Sequence, residues 1–160
     1  MEEFKLLVPE DAAVYQKLLV EGYAPTKQFA VSFAAADFTL EESEEWIRDY
    51  PTYGLFVDGE LVSSMSLCLP WCEKGTPTKY PHIGHVVTSP AHKGKGYARK
   101  TMTLLEDKLR KVYRTPKVTL GTAAEHPWLP KMYESWGYKE FYREKMEGKI
   151  HTTIFYEKEL

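Results

Sequence analysis

No stretch of the sequence approaches the roughly 18 consecutive apolar residues that a membrane-crossing helix requires, so no membrane partner is expected. The opening MEEFKLLVPED is acidic, where a signal peptide begins basic and turns apolar, and the expected location is cytoplasmic. Positive charge is not in excess either. A net charge of -2 argues against a nucleic-acid partner held by bulk electrostatic attraction. Cysteine is scarce: Cys68 and Cys72 lie four apart, which fits neither a CxxC redox pair nor a four-ligand zinc site. No metal is expected, and the pair reads as two free thiols in a reducing compartment. Repeats, low-complexity runs and linkers are absent, and 160 residues supply one core, so residues 1–160 are expected to form a single domain.

What is present alternates between strand and helix patterns. Glu3 to Val8 reads as a strand, followed by Val14, Tyr15, Leu18 and Leu19 at helical spacing. Thr39 and Glu42 form a capping-box pair ahead of a helix whose apolar face is Trp46, Ile47 and Tyr50. Tyr53 to Val57 and Leu61 to Leu69 are strand-like runs on either side of Asp58-Gly59, a hairpin signal. Pro70 to Pro81 reads as a loop and His82 to Thr88 as a strand. Ala98, Met102, Leu105, Leu109 and Val112 form one stripe of a long helix. Lys117 to Thr122 is a strand, and a helix carrying Leu129, Met132, Tyr133 and Trp136 should stop at Gly137. Tyr138 to Met146 and His151 to Tyr156 close the chain as a hairpin around Glu147-Gly148-Lys149. The order β-α-α-β-β-β-α-β-α-β-β predicts an α/β (α+β) fold, a mixed and mostly antiparallel sheet with helices on both faces.

The most informative segment runs from Val86 through Ser89-Pro90-Ala91-His92-Lys93-Gly94-Lys95-Gly96-Tyr97-Ala98, where a strand ends, a glycine-bearing loop follows and a helix begins. Glycines let backbone approach an anion, and free N–H groups at a helix start point toward it. Lys93, Lys95, Arg99 and Lys100 concentrate positive charge there. GKG alone suits a solvated basic helix start equally well. Neither GxxxxGK[ST] nor GxGxxG with a downstream acid is present, so the common nucleotide-binding motifs drop out.

Lys93-Gly94-Lys95-Gly96-Tyr97-Ala98 resembles the acetyl-CoA signature of the GNAT superfamily, (Gln/Arg)-x-x-Gly-x-(Gly/Ala), with lysine at the first position. Tyr133-Glu134-Ser135-Trp136-Gly137-Tyr138 is similar to the same family's tyrosine-x-x-x-glycine-aromatic segment. The resemblance implies an acetyl-CoA-dependent N-acetyltransferase, with acetyl-CoA (coenzyme A) bound by Val86, Val87 and Thr88 and by Lys93, Gly94, Lys95, Gly96, Tyr97, Ala98 and Arg99. Backbone groups of Val86 and Thr88 would meet the pantetheine arm, and His126 stands where many relatives carry a cofactor-holding asparagine. A non-catalytic acyl-CoA sensor of the same fold is the alternative; it would need no acid such as Tyr133.

By the same resemblance Tyr133 is the general acid for the departing thiolate, against the plainer role of a helix tyrosine packed on the sheet. A lysine-like amine is unprotonated in only roughly one molecule in 2,500 at neutral pH, so a path for its proton matters. His82 is the first candidate base, by its distance from Lys93; regular alternation would send His85 to the opposite face. A lone strand histidine is as a rule structural. Trp46, Trp71, Tyr80 and Trp128 are candidate walls of an acceptor site, although large aromatics are usually core. Glu41, Glu42, Glu44 and Glu45 could draw a cationic acceptor, but such a run usually marks a solvated first helical turn. The acceptor is left open between a small-molecule and a peptide amine, and a homodimer is compatible with everything above. If the glycine loop holds the pyrophosphate, Gly96→Glu fills and charges it: calorimetry should detect acetyl-CoA binding to the parent and none to the folded variant, and retained binding would displace the site.

Overall fold

The computed structural model describes residues 1–29 and 31–160. Seven strands form one sheet in the order β1-β2-β3-β4-β5-β7-β6: β1 (Glu2–Leu6), β2 (Thr52–Val57), β3 (Glu60–Cys68), β4 (His82–Thr88), β5 (Lys117–Ala123), β6 (Lys139–Glu144) and β7 (Thr153–Glu159). All neighbours are antiparallel except β4 and β5. The β2–β3 turn has both Asp58 and Gly59 at positive φ, 50° and 82°, which matches the right-handed twist of the paired strands.

Helices cover both faces. On one side α1 (Ala12–Tyr23) and α2 (Leu40–Asp49) bury Tyr15, Leu18, Leu19 and Ile47 against Leu61 and Val87. On the other, α3 (Tyr97–Lys111) sinks Met102, Leu105 and Leu109 into a core with Met65, Leu67, Leu120 and Tyr156, and α4 (Leu129–Ser135) adds Tyr133. The stripe read from the sequence ends one turn early, because Val112 caps α3 and is exposed. At α2 the Glu42 amide donates to Thr39 Oγ1 and the Thr39 amide to Glu42 Oε1, both at 3.1 Å, completing the expected box. Past α4, Gly137 at φ 94° lets the amides of Tyr138 and Gly137 reach back to the carbonyls of Tyr133 and Glu134 at 3.1 Å. That Schellman geometry fixes the turn carrying Tyr133.

Two features depart from expectation. Short 3-10 turns at Ala24–Gln28 and Ala34–Asp37 lie between α1 and α2 where no pattern announced them. The sulfurs of Cys68 and Cys72 are paired as a disulfide rather than held apart as free thiols. Amide bonds from Cys72 to Leu69 O and from Gly75 to Cys72 O, each 2.9 Å, curl the loop after β3 and bring the two residues together.

Beneath α3, the Glu106 carboxylate is 3% exposed and accepts from Lys158 Nζ and from the Tyr138 hydroxyl, both at 2.9 Å, tying α3 to β7. Breaking a buried ion pair strands the remaining charge, whereas removing both charges does not. Lys158→Met should therefore lower the unfolding free energy by about 3–5 kcal/mol in denaturant titrations, and Glu106→Gln added to it should restore most of the loss. Equal stability of parent and single variant would contradict this role.

Candidate active site

Parallel pairing between β4 and β5 is confined to His82–Thr119 and Ile83–Leu120. Beyond Ile83 the strands part, and the edge of β4 facing β5 has no ladder partner from Gly84 onward among the described residues. On its other edge β4 takes three steps from Gly84 to Val87 where β3 takes two from Ser66 to Ser64. The extra residue is a β-bulge, and His85 within it has φ 49°, a left-handed conformation rarely adopted outside glycine. The surroundings hold it there. The His85 ring stacks on Trp46 at 4.0 Å, meets Phe38 edge-on at 5.3 Å, and has the Tyr15 hydroxyl 3.5 Å from Nδ1. Ser66 Oγ accepts from Trp46 Nε1 at 2.8 Å and lies 2.9 Å from Thr52 Oγ1, so the stacking partner is itself anchored.

A cleft of about 430 Å³ opens from this parting toward the start of α3. Val86, Val87, Thr88, Lys93, Gly94, Gly96, Tyr97, Ala98, Arg99 and His126 line it together; Lys95 does not. Gly94 and Gly96 have φ of 81° and 78° with nothing near a virtual Cβ, so glycine answers a backbone demand there and leaves the loop surface open. The first backbone bond into α3 runs from the Lys100 amide to Gly96 O at 3.0 Å. The amides of Tyr97, Ala98 and Arg99 precede it, the set of orphan donors that suits a phosphate at a helix start. These residues fit the pyrophosphate of an acyl-CoA. The Tyr23 hydroxyl donates to Val86 O at 2.8 Å, so that carbonyl is already engaged by α1.

His126 Nδ1 accepts from the amides of Trp128 and Leu129, both at 3.3 Å, and so caps α4. Accepting there requires an unprotonated Nδ1, and burial lowers the pKa in the same sense. Its ring meets Trp128 and Phe29 edge-on at 4.5 and 5.2 Å, building an aromatic side to the cleft. Arg99 lies over Trp136 at 5.4 Å and Lys93 over Trp128 at 5.5 Å.

A second cavity, about 160 Å³, adjoins the cleft and shares Tyr23, Phe33, Val86 and Leu129 with it. Tyr133, His85 and Lys149 all line it. Burial pushes the Tyr133 phenol well above its ordinary range. It is a protonated donor facing the cavity. His82 lies elsewhere: Nδ1 is 2.8 Å from Thr119 Oγ1, the ring packs toward Phe155, and the residue lines neither cavity. Burial lowers both histidines to about 4, with Lys149 and Lys74 adding to the effect at His85.

Of the aromatics considered for the acceptor site, Trp46 backs His85 and Trp128 borders the cleft. Trp71 is 77% exposed, and Tyr80 sits between Lys79 and Lys117. Glu41, Glu42, Glu44 and Glu45 line neither cavity. Sequence reasoning passed over Tyr23, Phe33 and Lys149. Tyr23 continues the helical stripe of Tyr15 and Leu19, while Lys149 in a hairpin turn carried no signal at all.

The acetyltransferase (GNAT) family profile matches residues 19–138. Two curated relatives from Bacillus subtilis (strain 168) align over nearly the whole chain. S-alkylcysteine N-acetyltransferase is 33% identical over 92% of this chain and 84% of its own length. S-(2-succino)cysteine N-acetyltransferase is 34% identical over 98% and 95%. Among solved structures, the ribosomal-protein-S18-alanine N-acetyltransferase of Escherichia coli superposes with a TM-score of 0.76 at 14% identity, covering 99% of this chain and 94% of that one. The Thermoplasma acidophilum PaiA N-acetyltransferase in complex with coenzyme A gives 0.68 at 17%, covering 100% and 99%. No helix among the described residues is long and apolar enough to cross a membrane. With the parted strands, the glycine loop and the matching family profile together, the chain belongs to the acetyltransferase (GNAT) family and is an acetyl-CoA-dependent N-acetyltransferase.

Proposed function

We propose that the acceptor is the α-amino group of a small S-substituted cysteine, the acceptor class named for both Bacillus subtilis relatives. The observation that carries this reading is their identity of 33–34% over at least 92% of the chain. A compact cavity beside the cofactor cleft supports it, since 160 Å³ suits a molecule of amino-acid size. In the same reading residues 1–160 act as one domain in the cytoplasm, where acetyl-CoA is available, and self-association as a homodimer is compatible with it.

Within this proposal the amides of Gly96 to Arg99, with Lys93 and Arg99, hold the pyrophosphate, and the parted edge of β4 receives the pantetheine arm. Bound acetyl-CoA supplies the activated acetyl group as a thioester. Tyr133 gives its phenolic proton to the departing sulfur; the apolar surroundings that keep the phenol neutral also raise the basicity of a thiolate beside it. His85 takes the place first given to His82 as proton acceptor. It lines the cavity with Tyr133, and its low pKa leaves the imidazole neutral throughout the working range. The amine nitrogen sheds its proton as the amide bond forms, when it is far more acidic than a free ammonium, so a weak base suffices.

Tyr133→Phe should lower kcat about 10²–10⁴-fold with little change in acetyl-CoA affinity, because the hydroxyl acts on charge that develops at the departing sulfur rather than on bound cofactor. A variant turning over like the parent would assign Tyr133 to packing. Thiol release with S-methyl-L-cysteine, followed against pH, tests the acceptor and the base together. Since His85 titrates near 4, its acceptor role is present above that pH and lost only as pH falls through it. The rising limb of kcat/KM should then follow the acceptor's own α-amino group, well above the ordinary histidine range. A limb near the ordinary histidine value of about 6.5 would contradict this assignment, and activity confined to polyamines or peptides would remove the acceptor class.

A further inference from the structure

Among the described residues Lys149 is the one lysine, arginine or carboxylate-bearing residue lining the cavity that holds Tyr133 and His85. The lysine lies on the connection between β6 and β7, clipped to the segment between the two 3-10 turns. The Ser32 amide donates to His151 Nδ1 at 3.0 Å, the Ile150 amide donates to Ser32 Oγ at 3.2 Å, and Lys149 Nζ donates to Ser32 O at 3.4 Å. That clip brings the ammonium to the cavity wall and leaves two of its three N–H donors free. Lys149 forms no salt bridge among the described residues; its ammonium is held by the Ser32 carbonyl. Lys74, on the loop after β3, also lies near enough to act on His85 electrostatically. Both lysines add positive potential at His85, the reverse of what a polyamine needs and of what the α2 glutamates suggested.

We propose that Lys149 binds the α-carboxylate of the acceptor, so that the enzyme selects a free amino acid over its amide, a peptide or a polyamine. The assignment rests on the amino-acid acceptor reading above and adds the group that recognises it. An ammonium-carboxylate hydrogen bond in a partly buried cavity orients the α-amino group, attached to the same α-carbon, between Tyr133 and His85. An amine without the carboxylate leaves Lys149 unpartnered and forfeits that orientation.

The test compares S-methyl-L-cysteine with its carboxamide as acceptors, at a pH above the pKa of both amines, for the parent, Lys149→Met and Lys149→Arg. The parent should favour the acid in kcat/KM by about 10–100-fold, the range for a hydrogen bond to a charged group. Lys149→Met should lose that preference through a raised KM for the acid, with the carboxamide nearly unaffected, and Lys149→Arg should keep most of it. Calorimetry with coenzyme A checks that the methionine variant is folded and retains its cofactor cleft. A methionine variant that still prefers the acid, or a parent that treats acid and amide alike, overturns the role of Lys149 and leaves the acceptor class standing. No thiol release from either compound, by a parent that binds coenzyme A, overturns the acceptor class and this assignment with it.

Discussion

Two parallel strands paired along their length would satisfy each other's backbone and leave nothing for a ligand, and β4 and β5 avoid this by parting after Ile83 and Leu120. The unpaired polar edge faces a cleft instead of a neighbour. Its carbonyl at Val86 is met by Tyr23, and Val86 to Thr88 line the cleft together with the glycine loop. The bulge around His85 belongs to the same constraint, because an extra residue on β4 bends that strand and raises its local twist. Cleft, adjoining cavity and the direction of the His85 side chain all depend on this break in the ladder.

The two halves of the site handle charge differently. At the glycine loop, orphan amides and two basic side chains are spread around the opening of the cleft, as suits a multiply charged ligand. In the adjoining cavity burial dominates: it keeps Tyr133 protonated and His85 neutral. Lys149 is the exception, a cation held at the rim by contacts with Ser32 rather than by an acid. In the proposed reading, chemistry of the thioester and choice of acceptor fall to different elements, α3 and α4 for the first, the β6–β7 connection for the second.

Much of this was legible in the residues. The capping box at Thr39, the Asp58-Gly59 turn and the stop at Gly137 follow from local rules and stand where those rules put them, and the α3 stripe does so as far as Leu109. The glycine loop was legible because Gly94 and Gly96 answer a backbone demand that sequence displays directly. The histidines were not. Alternation along His82 to Thr88 assumes a regular strand, and a bulge centred on a non-glycine residue at positive φ leaves no mark in the residue types. Lys149 and Phe33 were hidden for a different reason: what brings them to the site is long-range bonding through Ser32 and His151, which no local pattern encodes. The disulfide likewise depends on the curl of a loop rather than on the spacing of its cysteines.

Amide hydrogen exchange of the protein with and without coenzyme A tests the central claim most directly. If the parted β4 edge and the start of α3 form the cofactor site, protection should appear at residues 84–88 and 94–99 and leave β1 and β6 unchanged. Binding that protects neither segment, or that protects the β1–β2 edge instead, would contradict the account.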